Sequence, residues 1–274
     1  RHIYDISPYS MATNVLVVST SSFYVDFYRY LDDNGISDVK VVAAVDPVEN
    51  KGEKDLGQLA LGKADGVPVL RSLKGVSALD ADVVLLYLPP SLGVEDYVAA
   101  ALQKGQALIN MGMQSTQGYA GDFRKRGLPL AGDYAIEQLS PSVVLDSLIN
   151  LLKEKGLSVG SSYQIGAGGP ELDEVTRERR RQDELFLIKE KQAVFMGAVE
   201  PVDFMGDRRH YYSWIEAEGP LKSSVQIDLW VKYEEAPLLC APALELIRGI
   251  ARAKNEGVAG PAKQLMHLFK RPVA

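Results

Sequence analysis

The sequence predicts an α/β protein: a doubly wound parallel sheet, then a second part of α+β character. Three observations carry this. From Asn14 to Ala131, short apolar runs alternate with helix-patterned stretches, the rhythm of strands joined by crossover helices. The runs are nearly continuous, like strands covered on both faces. After Ser142 the rhythm changes to longer segments that alternate at period two, with helices at the end.

Each element has its own warrant. Asn14–Val18 is the first apolar strand. Phe23, Phe27, Tyr30 and Leu31 share one helical face, and Asn34-Gly35 ends that helix. Val39–Val45 is a second strand, stopped by Asp46-Pro47. An acidic, lysine-containing segment, Glu49–Asp55, leads to a helical patch at Leu56–Leu61. Val67–Leu70 is a small strand, and Val76–Leu79 precedes the apolar strand in ADVVLLYLPP, Ala81–Pro90. Val94–Lys104 is an amphipathic helix closed by Gly105, Ala107–Met111 a strand, Phe123–Arg126 a helix end and Leu128–Ala131 a sixth strand. Beyond these, Ser142–Lys155 carries a broad apolar helical face. Val159–Ile165 alternates as a strand and is followed by a loop, Gly166–Pro170. The charged stretch Glu171 to Lys191, including Arg177–Arg181, reads as an exposed helix. Tyr211–Ala217 and Ser224–Tyr233 form an antiparallel pair across Gly219-Pro220, whose aromatic residues Tyr211, Tyr212 and Trp214 are sheet packing. Ala241–Lys254 and Pro261–Phe269 are the closing helices.

Composition narrows the function classes. At 274 residues, 46% hydrophobic and 24% charged, the chain is an ordinary soluble globular sequence. A net charge of -6 argues against nucleic acid and anionic membrane as partners. The single cysteine, Cys240, excludes an internal disulfide and fits a cytoplasmic setting as a small buried apolar residue. Three histidines are too few for a multi-histidine centre, and no metal site is expected. No apolar run is long enough for a membrane span, and no signal peptide is expected. Met11-Ala12-Thr13 reads as a start, so residues 1–10 are given no role in the fold.

The chemistry centres on Asn14–Pro47, a strand–turn–helix–strand unit whose second strand ends on Asp46. In a dinucleotide site, glycines let the backbone approach the pyrophosphate, and such a carboxylate accepts ribose hydroxyls. The glycines are replaced by Ser19, Thr20, Ser21 and Ser22. Their hydroxyls and the helix N-terminus are able to hold phosphate; equally, they mark a lost site. Asp46 has an alternative role as the turn residue before proline.

Further segments, in order, resemble one family. VVAAVDPVENKGEKDLGQLAL, DVVLLYLPPSLG, ALINMGMQ, LPLAGD, SSYQIGAGGPELD, KQAV and APALELIRGIARAKNEGVAGP are similar to segments of the myo-inositol-1-phosphate (inositol-3-phosphate) synthases. The resemblance runs over about residues 14–272. It implies a Rossmann-type domain at 13–135, an inserted α+β oligomerisation and catalytic domain at 136–236, and helices at 237–274 that return to the first domain. It implies tightly held NAD, a sugar phosphate substrate cyclised by oxidation, aldol closure and reduction, lysines that stabilise oxyanions, and a homo-oligomer, tetramer or dimer.

Carried over residue by residue, the resemblance makes Ser19, Ser21, Ser22, Asp46, Tyr87, Leu88, Pro89 and Asn110 the cofactor side. Asp133 matches the first acid of the family's "GDD.KS". Tyr134 stands at the second acid, Ile136 at the lysine and Glu137 at the serine. Lys189 and Lys191 flank the place of a second lysine, which Glu190 holds, and Lys222 and Lys232 are further lysines for catalysis. Glu235 is the remaining acid of a late motif. Two readings follow: an NAD-dependent enzyme acting on glucose 6-phosphate or a related sugar phosphate, or a non-catalytic homologue that keeps the fold and oligomer as a binding, regulatory or structural subunit.

Overall fold

Strand β1 (Thr13–Ser19) lies at the centre of an eight-stranded sheet, with residues Val15–Ser19 wholly buried. The chain is seen here in a computed structural model, which describes residues 12–47, 54–73, 80–168, 181–182, 185, 188–189, 194–205 and 208–274. The other strands of this sheet are β2 (Val39–Val45), β3 (Lys54–Asp55), β4 (Pro68–Leu70), β5 (Val83–Tyr87), β6 (Ala107–Asn110), β7 (Pro129–Ala131) and β12 (Gly260–Pro261). Their order is β12-β7-β6-β5-β1-β2-β4-β3, and every pairing is parallel except β3 with β4. The doubly wound parallel sheet expected from the apolar runs is therefore present. Helices α1 (Phe23–Asp33), α2 (Leu56–Leu61), α3 (Glu95–Lys104) and α4 (Ala120–Arg126) are the crossovers. Phe23, Tyr24, Phe27 and Leu31 form the buried face of α1, each worth roughly 1.5–3 kcal/mol of burial.

The chain divides into two compact units: the residues up to Ala135 together with Cys240–Ala274, and Ile136–Leu239. The second unit holds α5 (Pro141–Glu154) and a four-stranded sheet in the order β11-β10-β8-β9. Its strands are β8 (Ser158–Gly168), β9 (Val194–Pro201), β10 (Arg208–Glu218) and β11 (Ser224–Glu234), antiparallel except β8 with β9. Ser140 caps α5, its hydroxyl accepting the Val143 N–H. Leu145, Ile149 and Leu152 pack from α5 onto Ile215 and Ala217 of β10.

Several elements differ from the sequence reading. Gly166–Gly168, expected as loop, continue β8. A Cβ on Gly166 would lie 2.8 Å from the Tyr211 ring and one on Gly168 2.9 Å from Arg209 Cδ, so neighbouring side chains and not turns require these glycines. Strand β9 was not anticipated. The helix expected from Ala241 starts earlier, as α6 (Glu235–Asn255). The last helix is a 3-10 turn, Lys263–Leu268, behind strand β12. Residues 1–10, Val76–Leu79, most of Glu49–Asp55 and most of the charged Glu171–Lys191 stretch lie outside the described residues.

Candidate functional site

Ligands of open parallel sheets bind beyond the carboxyl ends of the strands, where the strand order reverses. Here the reversal falls between β1 and β5, with Ser19 in register with Tyr87 and Leu86 with Asn110. The turn that leaves β1 is stitched by its own serines. Ser19 Oγ accepts the Ser21 N–H at 3.3 Å, and Ser21 Oγ accepts the Phe23 N–H at 3.2 Å. The Ser22 hydroxyl donates to Asp26 at 2.9 Å, which puts a carboxylate in the first turn of α1. The hydroxyl of Tyr24 donates to Asp46 Oδ2 at 3.0 Å, and neither residue is exposed (0% each). Counted from Ser19 at the G-x-G-x-x-G spacing, the three glycine places fall on Ser19, Ser21 and Tyr24. Phe23 meets Tyr87 edge-on at 5.3 Å and stacks on Phe27 at 5.7 Å.

A second cluster lies at the ends of β6 and β7. Asp133, 3% exposed, accepts Asn110 Nδ2 at 2.8 Å, the Thr116 hydroxyl at 2.6 Å and the Thr116 N–H at 2.8 Å. Burial pushes the Asp133 carboxyl above its ordinary value, and these donors pull it partly back. Asn110 also donates to Gln114 O and accepts the Gly112 N–H. A Cβ on Gly112 would come 2.9 Å from Leu88 O, so only glycine allows this approach. The Gln114 amide donates to the carbonyls of Pro89 and Leu92. Tyr134, buried, sits at φ 60, unusual for a bulky side chain, and is held by backbone bonds from its N–H to Gly112 O and from Lys270 N–H to its carbonyl. The Lys270 ammonium lies 4.3 Å from the centre of the Tyr134 ring, on a side chain only 2% exposed. Sequence reading overlooked this lysine. Its surroundings, HLFKRP, are half basic and gave no local signal of burial.

The other candidate lysines among the described residues are all exposed. Lys189 is exposed and pairs at long range, 3.9 Å, with Asp146. Lys222 is exposed in the turn Pro220–Lys222 between β10 and β11. Lys232 is exposed on β11 opposite His210. The strand between Ser224 and Lys232 is about 26 Å long, so Lys222 and Lys232 sit at opposite ends of the hairpin. Lys191 lies outside the described residues. Glu235 is 2.8 Å from Arg209, both buried. Cys240 is buried, and its thiol is pushed up to about 12 by burial and by Asp26. Among the described residues no group of three or more acidic, histidine or cysteine side chains is placed to hold a metal, and no helix is long and apolar enough to cross a membrane.

No family model matches the chain. Individual proteins do. The inositol-3-phosphate synthase of Mycobacterium tuberculosis (strain CDC 1551 / Oshkosh) is 25% identical over 235 residues, 78% of this chain and 62% of that protein. That of Mycolicibacterium smegmatis is 23% identical over 239 residues, 78% of this chain and 64% of that protein. Among solved structures, a myo-inositol-1-phosphate synthase-related protein from Thermotoga maritima superposes with a TM-score of 0.74 at 13% identity, covering 95% of this chain and 93% of that one. The chain is a divergent relative of the inositol-3-phosphate synthases. It spans less than two thirds of the length of these curated synthases. The protein Ari2, with a TM-score of 0.74 and 24% identity, matches over 96% of this chain and 93% of its own. As a relative of the synthases the chain carries their sheet, while its own side chains engage both clusters at the strand ends.

Proposed function

We propose that this chain is a homologue of the inositol-3-phosphate synthases that keeps their fold without their cyclisation reaction, and that it acts as a binding or structural subunit. One observation carries the reading: Asp133–Glu137, where the resemblance expects acid, acid, lysine and serine, has no lysine, and its one matching acid is engaged within the fold. Asp133 spends its carboxylate on Asn110 and Thr116. Tyr134 is buried, and Ile136 is a hydrocarbon that donates nothing to an oxyanion. Loss of one transition-state donor commonly costs about 3–4 kcal/mol, or two to three orders of magnitude in rate. On this reading the protein works as a cytoplasmic homo-oligomer, and the exposed Ile165, Phe195 and Trp230 of the four-stranded sheet support association.

The test is incubation of the full chain with glucose 6-phosphate and NAD, followed by phosphorus NMR and mass spectrometry. The expected result is unchanged sugar phosphate. Inositol phosphate formed by the chain would overturn the reading. A second reading, an enzyme on a related sugar phosphate, is favoured by the buried ammonium of Lys270 beside the Asp133–Tyr134 loop. It requires turnover of some hexose or pentose phosphate that Lys270→Met abolishes while the fold is retained.

A further inference from the structure

Beyond the loss of cyclisation, we propose that the dinucleotide corner of this chain is closed from within. On Asp46, the Tyr24 hydroxyl takes the place of a ribose hydroxyl. A bound dinucleotide needs three things here: N–H groups free at the start of the first helix, room for the pyrophosphate against the turn, and a carboxylate open to the ribose. Each is already taken. The Ser21 and Phe23 N–H groups point at Ser19 Oγ and Ser21 Oγ. The first turn of α1 carries Asp26, a carboxylate on the side of any phosphate, held by Ser22 and paired with Arg29 at 3.4 Å. Asp46 accepts Tyr24 at 3.0 Å with no surface on either residue. The third glycine place of the fingerprint, where the helix must run close to the strand, supplies the tyrosine itself. Phe23, against Tyr87, packs the same turn with aromatic bulk. These residues do not fit NAD, and the substitutions act together: the side chain at the third glycine place also satisfies the acid that a ribose would have met.

Two measurements on the full chain test this. The first is titration with NADH, read by energy transfer from tryptophan to the nicotinamide, together with assay of nucleotide released by denaturing freshly purified protein. The expected result is no saturable signal and no nucleotide. Saturable binding, or co-purified nucleotide, overturns the inference. NADH bound without inositol phosphate formation would leave the non-cyclising reading standing, whereas cyclisation without bound dinucleotide would overturn that reading and not this one. The second measurement is a thermal-unfolding cycle of Tyr24→Phe, Asp46→Asn and the double variant. The expected result is that Asp46→Asn lowers the midpoint less in the Tyr24→Phe background than in the unaltered chain. Additive losses overturn the inference. Should Asp46→Asn fail to fold, Asp46→Glu replaces it in the same cycle with the same two outcomes.

Discussion

Arg209 and Glu235 show what one pair of residues can hold. Their charged groups meet at 2.8 Å with side chains 6% and 4% exposed. Two charges taken from water gain little net stability, but removing one strands the other. Arg209→Met should cost about 3–5 kcal/mol in denaturant unfolding, whereas Arg209→Met with Glu235→Leu should recover most of that loss. A double variant no more stable than the single would show that the pair is not the source. Glu235 also shows a limit of reading by motif. In the sequence it is the remaining acid of a late pattern; in the fold its carboxylate belongs to an arginine 26 residues earlier, a partner that no local spacing announces. Lys270 was missed for the opposite reason. A lysine normally reads as surface, and only the backbone ladder between 132–135 and 269–273 places it inside.

At the scale of elements, Arg248 ties the part of α6 from Cys240 onward to the rest of its unit, donating twice to Asp38 at 2.7 Å. The guanidinium holds the Asp38 carboxyl below the ordinary carboxylate range, against a smaller opposing effect of burial. Because the folded value lies below the unfolded one, this contribution is fully present above the unfolded value and is lost as pH falls through the folded value. Both groups are partly exposed, so its size is about 0.2–1 kcal/mol. Arg248→Ala should lower the unfolding midpoint slightly at neutral pH and by progressively less in strong acid. An effect that grows with acidity would refute the assignment. The strands of the parallel sheet were legible because continuous apolar runs have few other uses. β9 was missed although Val194–Met196 is apolar, because it follows directly on the charged stretch ending at Lys191 and lacks the alternation of β10 and β11. Gly166–Gly168 read as loop because glycine is the commonest punctuation, and only the Tyr211 and Arg209 side chains lying over them explain a strand there. In α1, the sequence showed a helical face of Phe23, Phe27, Tyr30 and Leu31. Tyr24 came to notice only through the hydrogen bond that it makes across to β2.

For the whole molecule, the decisive fact is that the two units are unequal in continuity. Ile136–Leu239 is one uninterrupted segment with its own core of Leu145, Ile149, Leu152, Ile188, Ile215 and Ala217. The other unit is split, with its second piece resuming at Cys240. A fragment of residues 136–239 should therefore fold alone with a cooperative thermal transition, and a fragment of residues 12–135 should not. Matching cooperative transitions for both would show that Cys240–Ala274 is dispensable. Closing a gap of this length costs only about (3/2)RT ln n in entropy, and each doubling adds about 0.6 kcal/mol. The split is thus a burden on timing more than on stability. β12 docks on β7 through bonds from Gly260 N–H to Leu128 O and from Ala262 N–H to Leu130 O. Until residues 260–262 have left the ribosome, the Leu128–Leu130 carbonyls lack these partners and are able to pair with another nascent chain. The growing polypeptide must carry that sticky border through the synthesis of more than 100 further residues. Slow translation of that stretch, or a stall within it, is when this protein is most exposed to aggregation and most dependent on a chaperone.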